Sequence, residues 1–244
     1  MKSRPVPDPM PVLTLSDALF RQGFGTRREC RALARAGRVM VGGLVVDDPD
    51  LPLSPDGLVL TVDGTDWPYH AQALVMLNKP AGFECSQKPS NHPSVMTLLP
   101  PPLRTRGVQP VGRLDADTTG LLLLTDDGAL IHRLTSPKRH VPKVYEAQCA
   151  DPVTDSQLAR LCAGVVLHDD PTPVRAQAAQ RIGERALALT LTEGKYHQVK
   201  RMVAAAGNHV QSLARTRFGV LDLPPDLPPG QWRFLPGPQA VLGD

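Results

Sequence analysis

The chain has 244 residues, 41% of them hydrophobic, which is enough for a buried core in one large or two smaller domains and excludes global disorder. No apolar run reaches the roughly 18 residues of a membrane span, and Met1–Pro11, with Lys2 and Arg4 but no apolar stretch, lacks the form of a secretory leader. A net charge of +3 is too small to identify a polyanionic partner, so the distribution of charge carries more information.

The proline-rich residues 1–11 read as a disordered tail. From Leu13 a short helix is expected, capped by Ser16 or Thr14 and ended by Gly23 and Gly25. Thr26 with Glu29 three positions on forms a capping box for a second helix, whose buried side is Cys30, Leu33 and Ala34 and which Gly37 closes. Its arginines stand out. Thr26–Arg38 holds Arg27, Arg28, Arg31, Arg35 and Arg38 against Glu29 alone, and the i, i+4, i+8 spacing of Arg27, Arg31 and Arg35 puts these three on one face. Gly42-Gly43 between Arg38–Val41 and Leu44–Val46 signals a hairpin, Leu58–Val62 reads as another strand, and Asp63–Gln72 reads as a linker.

Beyond Gln72 strand-like and helix-like segments alternate. Leu74–Leu77, Leu121–Leu124, Val144–Cys149 and Ala186–Leu191 read as strands; Ala129–Leu134, Asp155–Cys162 and Tyr196–Ala206 read as helices. From Asp222 the prolines 224, 225, 228, 229, 236 and 238 predict a segment that wraps the surface without regular structure. Cys30, Cys85, Cys149 and Cys162 are scattered with no CxxC pair, which fits reduced thiols in a cytoplasmic protein and suggests neither a disulfide framework nor a zinc site.

The segment most suited to chemistry is Gly112-Arg113-Leu114-Asp115-Ala116-Asp117-Thr118-Thr119-Gly120, a glycine-bounded loop that feeds the apolar run Leu121–Leu124. Such a loop holds polar side chains at the rim of a rigid sheet, and Arg113 and Asp115 can both reach one pocket. Spacing alone leaves a second reading open, in which Asp117 and the threonines satisfy turn backbone while Asp115 pairs with a nearby cation.

Gly112–Gly128 closely resembles the signature of the RsuA/RluB/E/F class of bacterial ribosomal RNA pseudouridine synthases. Three further blocks are similar and in order: Leu77-Asn78-Lys79-Pro80-Ala81-Gly82, Lys143-Val144-Tyr145, and Glu193-Gly194-Lys195-Tyr196-His197-Gln198-Val199-Lys200-Arg201-Met202. The likeness covers Leu13 to Trp232. It implies an α+β protein: an S4-like RNA-binding domain at 12–66, a linker at 67–72, and a catalytic domain at 73–244 with a mixed, mainly antiparallel sheet and flanking helices. In the S4-like part, Leu15-Ser16-Asp17 stands where Arg-Leu-Asp is common in relatives.

The resemblance implies Asp115 as the nucleophilic carboxylate, Tyr145 packed on a flipped uracil and aiding proton removal from C5, and Lys200 as the cation paired with Asp115. Helical geometry does not choose between Lys200 and its neighbour Arg201 for that pairing, since both follow the buried Val199. Arg113, Lys79, Lys143 and Arg201 are expected to contact RNA, with Arg113 holding the extruded nucleotide or filling its place; Arg27, Arg31 and Arg35 are expected on phosphates. Breaking an N-glycosidic bond and rejoining the base through carbon calls for a carboxylate near a carbon of cationic character, and for no metal or cofactor. Tyr196-His197-Gln198 and Gly207-Asn208-His209-Val210 look most like the small-subunit (16S) rRNA members. The expected partner is therefore ribosomal RNA or a small-subunit assembly intermediate, met by a cytoplasmic monomer and no membrane. A large-subunit (23S) specificity, a non-catalytic rRNA-binding assembly factor, and a hydrolase with Asp115 and Asp117 as a carboxylate pair are the alternatives.

Overall fold

The capping signals near the start of the chain produce the helices they announce. A computed structural model of the protein describes residues 13–168 and 170–243; the tail expected at 1–11 lies outside the described residues. Thr14 caps the helix Leu15–Gln22, its Oγ1 accepting from the Asp17 amide at 3.2 Å. Thr26 and Glu29 form the reciprocal capping box of Arg27–Arg35: the Glu29 amide donates to Thr26 Oγ1 at 3.3 Å and the Thr26 amide to Glu29 Oε2 at 2.7 Å. Leu15, Leu19, Cys30, Ala34 and Leu60 are fully buried between these helices and a four-stranded antiparallel sheet in the order Leu44–Val45, Val39–Val41, Val59–Val62, Thr65–Pro68.

The last of these strands lies in the stretch that reads as a linker. Thr65–Pro68 pairs with Val59–Val62 across an Asp63-Gly64 turn, and it buries Trp67, whose ring meets Phe24 edge-on at 5.4 Å. The surrounding Gly, Asp, Pro and His mask one aromatic between β-formers. The described residues up to Ala71 form one compact unit, joined by Pro100–Gly107 from much later in the chain. Gly23, with φ +88, ends the first helix at a point where a Cβ would lie 2.1 Å from the Pro102 carbonyl oxygen, so no other residue fits there.

Gln72–Leu99 and the residues from Val108 onward form the second unit. Its sheet runs Ala178–Gly183, Ala186–Leu191, Lys143–Cys149, Val210–Phe218, Thr119–Thr125, Leu74–Lys79, Trp232–Phe234, with Leu221–Asp222 and Gln109–Pro110 on side paths. Every pairing is antiparallel except that of Val210–Phe218 with Thr119–Thr125. The mixed, mainly antiparallel sheet expected for an α+β protein is therefore present, flanked by the helices Gly128–Thr135, Asp155–Ala163 and Gln198–Ala205.

The C-terminal segment departs from its expectation. Trp232–Phe234 pairs with Leu74–Lys79 as an edge strand, Gln239–Leu242 is a short helix, and Leu227, Leu235 and Val241 are buried with Phe218 and Leu121. The prolines sit in the turns and leave Trp232-Arg233-Phe234 free to donate backbone hydrogen bonds, so they punctuate structure without preventing it.

Candidate active site

The aspartate loop is built around a buried lysine. Lys79, at the end of Leu74–Lys79, is fully buried, and its Nζ donates to main-chain carbonyls of Pro80 (3.1 Å), Asp115 (3.0 Å), Ala116 (3.2 Å) and Thr118 (2.8 Å). Burial holds this ammonium below its usual range, while the carbonyls satisfy its donors. The Gly82 amide donates to Ala116 O at 2.8 Å and the Leu114 amide to the buried Cys85 sulfur at 3.4 Å, which pins the loop from a second side. Lys79 is thus no RNA contact, contrary to the sequence reading: its charge is consumed inside the protein, where it shapes the loop that presents Asp115.

At the other end of the loop the parallel pairing sets Arg215 opposite Gly120. A Cβ at Gly120, where φ is +98, would stand 2.3 Å from the Arg215 carbonyl oxygen. The absent side chain lets the two backbones close on each other.

Asp115 opens into a cavity of about 380 Å³ lined by Arg113, Thr118, Lys143, Tyr145, Tyr196, His197, Leu213 and Arg215, among others. Its carboxylate, about one-third exposed, has two basic neighbours: His197 Nε2 lies 3.3 Å from Oδ1 and Lys200 Nζ 3.5 Å from Oδ2. Lys200 sits still closer to Asp117, donating to both its oxygens at 2.6 and 2.8 Å, and this contact holds the Asp117 carboxyl below its usual range. The helix that carries Lys200 buries Gln198, Val199, Met202 and Val203. Arg201 donates to Tyr196 O at 3.0 Å. Of the two residues that helical spacing leaves open, Lys200 stands 3.5 Å from Asp115, with Asp117 as a second and closer partner.

Tyr145 lies on Lys143–Cys149, where alternation sends Lys143, Tyr145, Ala147 and Cys149 to one side of the sheet. Its ring is half-buried, 6.0 Å from the Arg215 guanidinium carbon. Lys143 Nζ donates to Val141 O at 3.0 Å and lies 5.0 Å from the Phe218 ring. Arg113 is exposed at the cavity's edge.

In the first unit Arg27, Arg31 and Arg35 share a face with Arg28, but acids partly spend the stripe: Arg27 pairs with Asp17 at 2.6 Å and Arg31 with Asp50 at 2.6 and 2.8 Å. Among the described residues Arg28 and Arg35 make no ion pair.

Residues 73–205 match the RNA pseudouridylate synthase family, and residues 14–59 match the S4 domain. The chain belongs to the RNA pseudouridylate synthase family. This synthase is 40% identical over 220 residues to the ribosomal small subunit pseudouridine synthase A of Escherichia coli (strain K12), covering 90% of this chain and 95% of that one. It is 39% identical over 226 residues to an uncharacterized RNA pseudouridine synthase of Bacillus subtilis (strain 168), covering 91% and 95%. A crystal structure of a pseudouridylate synthase shares its fold with a TM-score of 0.64 at 34% identity, over 91% of this chain and 96% of that chain.

Two residues that line the synthase's cavity, His197 and Arg215, and Asp117, which holds Lys200 beside it, carry no clear signal in the sequence. Asp117 reads there as a turn former, His197 only as part of a family-like block, and the segment that carries Arg215 is assigned no element. In the structure His197 has a positive φ of 48, an uncommon conformation for a non-glycine residue.

Proposed function

We propose that this synthase converts a uridine of small-subunit ribosomal RNA to pseudouridine, with Asp115 as nucleophile. The observation that carries the reading is the placement of Asp115 at the mouth of one cavity with Tyr145 inside it and Lys200 3.5 Å from its carboxylate. The target nucleotide leaves its stack, at a cost of a few kcal/mol that is least in single-stranded RNA, and its base enters against the Tyr145 ring. Asp115 bonds to C1′ as the C1′–N1 bond breaks; the base turns, C5 bonds to C1′ as the Asp115–C1′ bond breaks and the carboxylate leaves, the C5 proton is lost with help from Tyr145, and N1 gains one. Lys200 sets a positive charge 3.5 Å from the Asp115 carboxylate, and Arg113 holds the extruded nucleotide at the rim. The S4 arginines hold RNA phosphates.

The small-subunit assignment is supported by the identity to the E. coli enzyme, whose name specifies that subunit. Ribosomal RNA or a small-subunit assembly intermediate is the partner, and the enzyme acts as a cytoplasmic monomer. Among the described residues no helix is long and apolar enough to cross a membrane. Mapping pseudouridines in both ribosomal subunits of cells with and without the gene tests this reading: one small-subunit site should vanish, and loss of a large-subunit site instead overturns the specificity.

A further inference from the structure

The cavity holds two cations that make no ion pair among the described residues. Lys143 and Arg215 lie on neighbouring antiparallel strands and share the Phe218 ring, with Lys143 Nζ 5.0 Å and the Arg215 guanidinium carbon 5.1 Å from its centroid. Arg215 is 1% exposed; its Nε donates to Leu121 O at 2.8 Å, and its buried Nη2 has no hydrogen-bond partner. Neither residue makes an ion pair among the described residues, whereas Arg31, Arg38 and Arg217 each meet an aspartate. Setting a half-buried ammonium beside a buried guanidinium is unfavourable, and the effect shows in Lys143, pushed down to about 8 by burial and then by Arg215. A folded protein tolerates such an arrangement where an anion arrives to complete it.

RNA offers two anions, its phosphates and the base itself during reaction. The pair sits beside the Tyr145 ring and on the same cavity as Asp115, where the base is held. When C1′–N1 breaks, the bonding electrons leave with N1, and the negative charge spreads over N1, O2 and O4 of the uracil. It is consumed when C5 bonds to C1′ and the Asp115 carboxylate leaves; the C5 proton is then lost and N1 gains one, so the sequence is an isomerisation with no redox step. We propose that Lys143 and Arg215 form the anion site for the detached uracil. Lys143 is a further catalytic residue that donates to a carbonyl oxygen of the base. Arg215 acts through Tyr145 and Lys143 as a positioning residue. The inference rests on the synthase reading given above.

The test uses the full chain with a small-subunit RNA fragment, in single-turnover assays. Lys143→Met should slow pseudouridine formation by about 100- to 1,000-fold, the cost of losing one donor to a developing anion, with RNA affinity unchanged. Lys143→Arg, which keeps the charge, should recover much of the rate. With 5-fluorouridine at the target, the fluorine makes the departing base a weaker base, so the Lys143→Met defect in substrate consumption should shrink. An equal defect on both RNAs, or a loss of RNA affinity that accounts for the loss of rate, overturns the anion site and makes Lys143 a phosphate or structural contact. If Lys143→Met fails to fold, the comparison of the two RNAs is made with Lys143→Arg, whose misplaced charge should leave the smaller defect on the fluorinated RNA. A wild-type enzyme that forms no pseudouridine overturns the functional reading together with this one.

Discussion

The Nζ of Lys79 lies 3.0 Å from the main-chain carbonyl oxygen of Asp115, the residue whose side chain faces the cavity. One buried ammonium thus sets the backbone from which the Asp115 carboxylate projects. Lys79→Met should leave four carbonyl groups short of a donor and cost about 3 kcal/mol or more, since each unsatisfied buried group costs about 1–3 kcal/mol and some will find water. Urea denaturation measures this; a variant as stable as wild type contradicts the role.

The contacts of Lys200 separate it from its neighbour. Lys200→Met should reduce turnover by about 100-fold or more, as the loss of a charge beside the reacting group does. Arg201→Met should leave turnover within about tenfold of wild type, because Arg201 points back to Tyr196 O. Asp117→Asn should be milder than Lys200→Met, because it frees Lys200 to close on Asp115. Turnover of the three variants on one RNA decides; a reversed order of Lys200 and Arg201 contradicts the geometry.

Lys143 gives a stability prediction with a definite sign. Its folded pKa, about 8, lies below the ordinary 10.5, so folding works against the protonated form. The penalty is complete below about 8, where folded and unfolded chains both hold the proton. It fades as pH rises from 8 to 10.5, where the folded chain has already released it. Lys143→Met should therefore be more stable than wild type at neutral pH, with an advantage that shrinks across that window. Urea midpoints of both proteins over the pH range measure it; an advantage that grows with pH contradicts the buried-charge account.

In the first unit the arginines without acid partners should matter most for RNA. Arg28→Glu with Arg35→Glu should lower the slope of log K against log salt by about 1.5–2 units, at about 0.7–0.9 per phosphate contact. Arg27→Glu with Arg31→Glu should change it less, since Asp17 and Asp50 already offset those charges. Binding isotherms across salt measure both; equal slopes in all variants make the stripe a solvated face.

What the sequence displays and what it hides follow from the range of the interactions. The capping box at Thr26 and the apolar strand Ala186–Leu191 are encoded within a few residues, and both appear at the expected positions. The helix expected from Tyr196 starts only at Gln198, because His197 adopts a left-handed conformation and the Gln198 side chain accepts from the Lys195 amide. Periodicity does not register such a local detour. Lys79 reads as an available cation, since burial depends on a loop that returns to it from residues 115–118. Arg215 enters the site through the one parallel pairing of the sheet, a contact between distant segments that leaves no mark on the residues around it.

The central claim is that Asp115 performs the chemistry. The most direct measurement is pseudouridine formation in small-subunit RNA by purified Asp115→Asn, with its melting temperature and RNA affinity determined alongside. The account predicts no pseudouridine from a variant that melts and binds RNA as the wild type does. Pseudouridine formed at the wild-type rate would contradict it.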